Sequence, residues 1–317
     1  MKEIKKVFDF YDKTYLKSYN LDNAIQYQLN LLDSLDVYTR KHCESVAAIT
    51  CNLCKKLHLS NGFTEYCTIC AYLHDLGKLF IPPEILQKTS KLTQEEYEIM
   101  KTHTTLGYNM CMKDLKLRPY AAGPWYHHEA LNGTGYPRGL TKKDIPYEGQ
   151  IIRVADEYDA IVSKRQYKTH IGITDTLKIL IEEAHPVNES DNSRFSHNPP
   201  KDPEVGKNNP LVVRTLLKAV IDDISYEIFC TQNYVDTLQN EIERFKLMEK
   251  YENKMNSAKN EKKMNFYLEG IKMLLKPGET LDNFHGIYQE YLDAYNKRKA
   301  IIDTLYTEIK SIKKLKV

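Results

Sequence analysis

His127-His128-Glu129-Ala130-Leu131-Asn132-Gly133-Thr134-Gly135-Tyr136-Pro137 is the stretch on which the reading of this chain turns. Adjacent histidines in a helix point about 100° apart, so one buried face has no use for both. A pair of metal ions does, because its ligands must fan out. The glycines and the proline that follow force a tight, preorganised loop beside the pair. Upstream stands a second signal, His74-Asp75-Leu76-Gly77-Lys78. An imidazole next to a carboxylate suits a hard or borderline divalent metal.

Stepping outward from these pairs at intervals of roughly thirty residues adds His42, His103 and Asp156. The full set is His42, His74, Asp75, His103, His127, His128 and Asp156, and it takes five of the ten histidines. Five imidazoles and two carboxylates exceed the roughly four to six ligands of a single ion. They suit two ions that share a bridging carboxylate. Mixed nitrogen and oxygen donors point to iron or manganese first, with zinc and nickel behind them. Two such ions a few ångströms apart form a phosphoester-hydrolysing arrangement.

The wider pattern is that of a known family. His74 to Lys78 is followed by Ile81-Pro82, Ile85-Leu86 and the run Lys91 to Glu96. Met100-Lys101-Thr102-His103 with Gly107, the His127-His128-Glu129 stretch, and Gly133 to Pro137 come next. Ile145-Pro146, Val154-Ala155-Asp156, Asp159-Ala160 and Arg165-Gln166-Tyr167-Lys168 complete it. Jointly, over about residues 36 to 182, these motifs resemble the HD-GYP subgroup of the HD phosphohydrolase superfamily; a lone His-Asp dipeptide would mean almost nothing. The resemblance implies an all-α fold, an HD-type helical bundle, and hydrolysis of the bacterial second messenger cyclic di-GMP. It implies that His42, His74 and Asp156 hold one ion, that His103, His127 and His128 hold the other, and that Asp75 bridges them. By the same resemblance Lys78 reaches a phosphate oxygen or the leaving group, Arg165 and Lys168 bind substrate phosphates, and Tyr136 contacts substrate from the loop.

Two positions depart from the family. Some members anchor a third metal with a glutamate one turn before the first histidine, and use it to cut the linear dinucleotide further. Tyr38 stands there in this chain, so a third ion lacks its anchor. Asn132 replaces the aspartate common before the loop glycine, a conservative change in a turn.

Composition agrees with this reading. Across 317 residues, 45 Lys and Arg face 43 Asp and Glu. So balanced a chain has no global field that would demand DNA or a membrane surface. Gly at 13 and Pro at 12 are sparse while Lys, Glu, Leu and Tyr abound, which favours helices. The N-terminus has no apolar core of a signal peptide, and no long apolar run occurs, so the expectation is a soluble cytoplasmic protein. Cys51-Asn52-Leu53-Cys54 and Cys67-Thr68-Ile69-Cys70 resemble a four-cysteine zinc spacing. Helical periodicity around both pairs favours buried core cysteines instead. The second pair also leads straight into His74-Asp75, where a zinc ribbon would disrupt the active-site helix.

The expected organisation runs as follows. Residues 1–33 form an N-terminal helical segment, and 34–184 form the HD-GYP core. Within the core, helices cover 36–56 (with Thr39 as a cap), 63–77, a stretch opened by Thr93 that carries His103, 117–130 with the His127-His128 pair, 150–163 with Asp156, and 172–184. Residues 185–210 are rich in Pro, Asn, Ser and Asp and read as an irregular, mobile insertion; His185 and His197 are solvated there. Residues 211–317 return to helices as a coiled-coil extension. Leu217 to Phe245 and Phe284 to Ile312 each step by four and three as a heptad seam. The seams cover each other as a hairpin within one chain or pair across a homodimer.

The function expected from all this is a metal-dependent phosphodiesterase that turns cyclic di-GMP into linear pGpG by means of a hydroxide held between two metals. A GMP-AMP cyclic dinucleotide is the rival substrate. A different class of function is a non-catalytic effector that binds the dinucleotide or a diguanylate cyclase (GGDEF) partner.

Overall fold

A computed structural model describes residues 37–162, 172–186 and 199–317. The segment expected over 1–33, and with it Arg165, Lys168 and His197, lies outside the described residues. Among those described, regular structure is helical, with one isolated bridge between Asn132 and Thr141. The fold is all-α. No helix of the described residues is long and apolar enough to cross a membrane.

Helix α1 (Val37–Lys56) buries Cys43, Val46, Ala47, Thr50 and Cys54 along one stripe, and Lys55 and Lys56 close its last turn, where cations complement the helix dipole. Thr39, expected as its cap, is buried inside it. Helix α2 (Asn61–Leu73) starts at Ser60, whose hydroxyl accepts from the Phe63 amide. It packs against α1. Cys51, Cys54, Cys67 and Cys70 are all buried in these two helices, as core residues.

α2 was expected to run to residue 77, but it ends at Leu73, and a 3-10 turn follows over Leu76–Phe80. Gly77 explains the break. A Cβ there would stand 1.9 Å from the His103 carbonyl oxygen and 2.5 Å from the Gly107 amide nitrogen. The backbone turns so that two glycines can bring the chain against the next layer.

A short helix α3 (Pro83–Leu86) leads to α4 (Gln94–Lys101), which opens with a reciprocal capping box between Thr93 and Glu96. The single helix expected from Thr93 through His103 is in fact two. The Thr102 hydroxyl bonds the Ile99 carbonyl at 2.6 Å, competing with the helix ladder. Helix α5 (His103–Lys113) begins at the histidine itself.

The helix expected over 117–130 is also cut. A 3-10 turn (Arg118–Tyr120) and α6 (Ala122–Tyr126) replace it. Pro119 and Pro124 supply no amide to a longer ladder, and Gly123 lies against Cys70, whose carbonyl a Cβ would meet at 2.0 Å. His127 and His128 therefore stand just past a helix end. Helix α7 (Tyr147–Val162) packs on α1 and buries Ile151, Ile152, Val154, Ala155, Asp156 and Asp159. Helix α8 (Ile173–Ala184) packs on α7.

Helices α9 (Pro210–Asn256), α10 (Glu261–Leu274) and α11 (Phe284–Ile312) complete the chain. Compactness divides the chain within α9, into Met1–Asp223 with Ile312–Val317, and Ile224–Ser311. The expected boundary near residue 211 falls earlier, because Val212, Val213, Leu216, Ala219 and Val220 are buried in the first unit. In the second unit Phe245, Met248, Ile271 and Phe284 form a core with Tyr288 and Tyr291. Arg244 clamps Glu279 with two bonds of 2.7 Å. Phe245 stacks on Tyr288 at 5.4 Å, His285 meets Glu252 at 2.8 Å, and Arg298 lies over Tyr234 at 5.5 Å. Rising numbers on α11 meet falling numbers on α9, so within the second unit the two helices run antiparallel, with Phe245 of one seam against Tyr288 of the other.

Candidate metal centre

Five separate stretches converge. His42 comes from the second turn of α1, His74 and Asp75 from the end of α2, His103 from the first residue of α5. His127 and His128 follow α6, and Asp156 sits in the middle of α7. The tight glycine contacts fix this geometry: Gly77 against His103 sets the distance between the Asp75 turn and α5, and Gly123 against Cys70 sets α6 on α2.

Asp75 is at the centre, 1% exposed. Its Oδ2 lies 3.3 Å from His74 Nε2 and 3.7 Å from His42 Nε2. Its Oδ1 lies 3.4 Å from His103 Nε2 and 4.0 Å from His127 Nε2. The two oxygens of one carboxylate thus face two different histidine sets. Asp156 stands opposite, with Oδ1 3.0 Å from His42 Nε2 and 3.8 Å from His74 Nε2, and Oδ2 3.9 Å from His128 Nδ1. Ligand atoms of His42, His74 and Asp75 fall within 4.8 Å of one another, and so do those of His103, His127 and His128. All seven residues singled out as ligands in the sequence are brought together.

The donor chemistry fits metal ions. His74 Nδ1 bonds the Ala71 carbonyl at 2.6 Å, His103 Nδ1 bonds the Met100 carbonyl at 2.7 Å, and His127 Nδ1 bonds the Gly123 carbonyl at 3.0 Å. A carbonyl only accepts, so each Nδ1 carries the proton and each Nε2 presents a lone pair inward. His103 Nε2 and His127 Nε2 then face each other at 3.1 Å with no proton between them. His74 Nε2 is buried with no hydrogen-bond partner. Converging lone pairs and an orphaned buried nitrogen are what a cation between them would satisfy.

The electrostatics match. Burial holds His103 and His127 below the ordinary imidazole pKa, His127 well below it, so both rings stay neutral as ligands. Burial opposes the charge on Asp75, but Lys78 and His74 outweigh it and keep the carboxyl well below the usual range. Lys78 Nζ is 2.6 Å from Asp75 Oδ2. His42 differs: burial opposes its charge, but hydrogen bonds to Asp156 and Asp159 raise its pKa to about 9, so an ion would have to displace a proton from this ring.

Two residues of the site escaped the sequence reading as functional groups. Asp159 Oδ2 accepts from His42 Nδ1 at 2.6 Å, and Ser45 donates to its other oxygen. This carboxylate orients the His42 ring and raises its basicity. Its spacing of three from Asp156 on one helix face was the available signal. Asp159→Asn is expected to weaken metal binding about 10- to 100-fold, measured by metal titration of chelator-stripped protein. Unchanged affinity would reduce Asp159 to a packing role.

Glu129 is the other. It is 1% exposed, and its carboxylate accepts from the amides of Arg138 at 2.9 Å and Leu140 at 2.8 Å. It ties the Gly133–Pro137 loop from inside. Asn132 Oδ1 takes the Thr134 amide at 3.2 Å and its hydroxyl at 2.7 Å, so the asparagine side chain braces the turn. The Tyr136 amide bonds the His128 carbonyl at 3.1 Å, and its ring stacks on His128 at 4.6 Å. Gly135 permits this approach, since a Cβ there would meet the Ala130 nitrogen at 2.2 Å. Tyr38 lies one turn before His42 and is 52% exposed.

The profile of the HD domain family matches residues 26–187, and the chain belongs to that family. Among its curated relatives, a cyclic di-GMP phosphodiesterase of Thermotoga maritima is 41% identical over 143 residues, covering 44% of this chain and 39% of that protein. The 3'3'-cGAMP-specific phosphodiesterase 3 of Vibrio cholerae is 33% identical over 155 residues, covering 49% of this chain and 34% of that one. The cyclic di-GMP phosphodiesterase response regulator RpfG of Xanthomonas campestris is 35% identical over 150 residues, covering 47% and 38%. The chain spans little more than a third of the length of these relatives.

Proposed function

We propose that the chain is a metal-dependent cyclic-dinucleotide phosphodiesterase that converts cyclic di-GMP to linear pGpG. The observation that carries this reading is Asp75, whose two oxygens face two different histidine sets. His42, His74 and Asp156 would hold one ion, His103, His127 and His128 the other, and Asp75 both. When bound, two divalent ions, iron or manganese, supply an activated water and a sink for charge on phosphoryl oxygens. Lys78, beside Asp75, donates to a phosphate oxygen or to the leaving oxygen. Tyr136 lines the substrate side of the His128 wall. A cyclic dinucleotide carries a second phosphate away from the reacting one, and Arg165 and Lys168 are the candidates for it by family position. The names of the relatives support the substrate class and split between cyclic di-GMP and 3'3'-cGAMP.

Because Tyr38 offers no carboxylate, hydrolysis is expected to stop at the linear dinucleotide. Long incubations with cyclic di-GMP and with the GMP-AMP dinucleotide, resolved by chromatography, test both points. The expected result is faster loss of cyclic di-GMP with accumulation of pGpG. Rapid conversion to GMP would contradict the role given to Tyr38. Two intact dinucleotides, with one bound tightly, would turn the reading towards a non-catalytic effector.

A further inference from the structure

The stretch 199–209 lies beyond the matched family region, which ends at residue 187. It has no regular secondary structure, yet its backbone is tied to its neighbours at several points. The Lys201 and Asp202 amides both donate to the Asn132 carbonyl, at 2.8 and 3.2 Å. The Leu131 amide donates to the Lys207 carbonyl at 2.9 Å. These bonds grip the root of the Tyr136 loop.

The Lys201 side chain then crosses the loop. Its stem covers Gly133, where a Cβ would meet Lys201 Cβ at 2.8 Å, and its ammonium donates to the Gly139 carbonyl. Gly133 and Gly139 have φ of 82° and 60°, so both turns already require glycine, and the stem fills the space above the first. The far end of the stretch is also fixed. The Asn208 amide bonds the Glu183 carbonyl of α8 at 3.0 Å. The Asn208 side chain accepts from Arg153 at 2.9 Å and donates to Glu157 at 2.6 Å, while Asn209 donates to Gln150 at 2.8 Å. All three partners lie on α7, the helix that carries Asp156.

We propose that residues 199–209 form a strap that fixes the Tyr136 loop relative to the metal centre, with Lys201 as a positioning residue for the substrate. Glu129 holds the loop from inside, and Lys201 holds it from outside. A loop freed on one side spends less time in the binding-competent position. Apparent affinity falls by that fraction, while turnover of bound substrate is unchanged. The substrate half of this inference rests on the proposed function; the mechanical half does not.

The test compares the full chain with Lys201→Ala and Lys201→Arg, by hydrogen exchange at residues 133–140, metal content, and kinetics on cyclic di-GMP. In Lys201→Ala the loop amides are expected to exchange about tenfold faster, with α1 and α7 unchanged. KM should rise about tenfold with kcat within about twofold, and metal content should hold. Lys201→Arg, which keeps a stem and a donor, should restore both readouts. Should Lys201→Ala fold poorly, Lys201→Met keeps the stem and removes only the bond to Gly139. Unchanged loop exchange, or acceleration spread evenly over the chain, overturns the strap. A loosened loop with unchanged KM overturns the positioning role. A protected loop in a protein that cleaves no cyclic dinucleotide would instead sink the proposed function and leave the strap standing.

Discussion

Asp75→Asn is expected to strip the protein of metal and to lower hydrolysis of cyclic di-GMP by roughly a thousandfold or more, since Lewis-acid stabilisation is worth several kcal/mol. The substitution keeps the shape of the side chain and removes its charge. Both histidine sets lose a buried carboxylate whose oxygens face them together, at 3.3 Å from His74 and 3.4 Å from His103. Lys78, 15% exposed at its side chain, also loses its partner at 2.6 Å. A half-buried cation that loses its anionic partner is costly, so the variant is expected to be less stable as well. Elemental analysis and steady-state kinetics on the same preparation provide the check. An Asp75→Asn protein that keeps full metal and near-normal turnover would remove Asp75 from the centre.

Gly77→Ala is expected to do comparable damage without touching a ligand. The added Cβ would lie 1.9 Å from the His103 carbonyl oxygen, and the neighbouring contacts are backbone atoms of His103 and Gly107. Backbone cannot swing aside as a side chain can, so the Asp75 turn and α5 must separate. Overpacking costs about 1 to 3 kcal/mol and occasionally more, and the separation moves His103 away from Asp75. A lowered thermal midpoint together with reduced metal content is the expected pair of results. Normal stability with normal metal content would show that the two layers slide apart freely, and that the glycine contact does not set the site.

The ligand set was legible in the sequence because metal chemistry demands rare residue types. Adjacent histidines at 127 and 128 have no ordinary use in a helix, and the flanking glycines and proline fix the loop. The heptad steps of α9 and α11 were legible for a similar reason: a seam of apolar residues must be covered. What covers it was not, because Phe245 carries no mark that its partner is Tyr288 of the same chain. The helix ends were misread wherever a tertiary contact decided them. Nothing local to Gly77 or Gly123 announces that His103 or Cys70 will press on it. The role of Asp159 is not legible because its partner His42 lies far along the chain, and that of Glu129 because its partners, the Arg138 and Leu140 amides, are backbone groups that leave no mark in the sequence. The ties that the stretch 199–209 makes to its neighbours are not legible in its composition. Few apolar residues mean that a segment builds no core of its own; they do not say whether a neighbouring loop offers it amides and carbonyls.

The central claim is that one carboxylate joins two metal sites in this chain, and the most direct measurement is the metal stoichiometry of anaerobically purified protein, followed alongside hydrolysis as ions are added back after chelation. The account predicts two transition-metal ions per chain, with activity appearing only as the second is taken up. Full hydrolytic activity at a single bound ion per chain would contradict it.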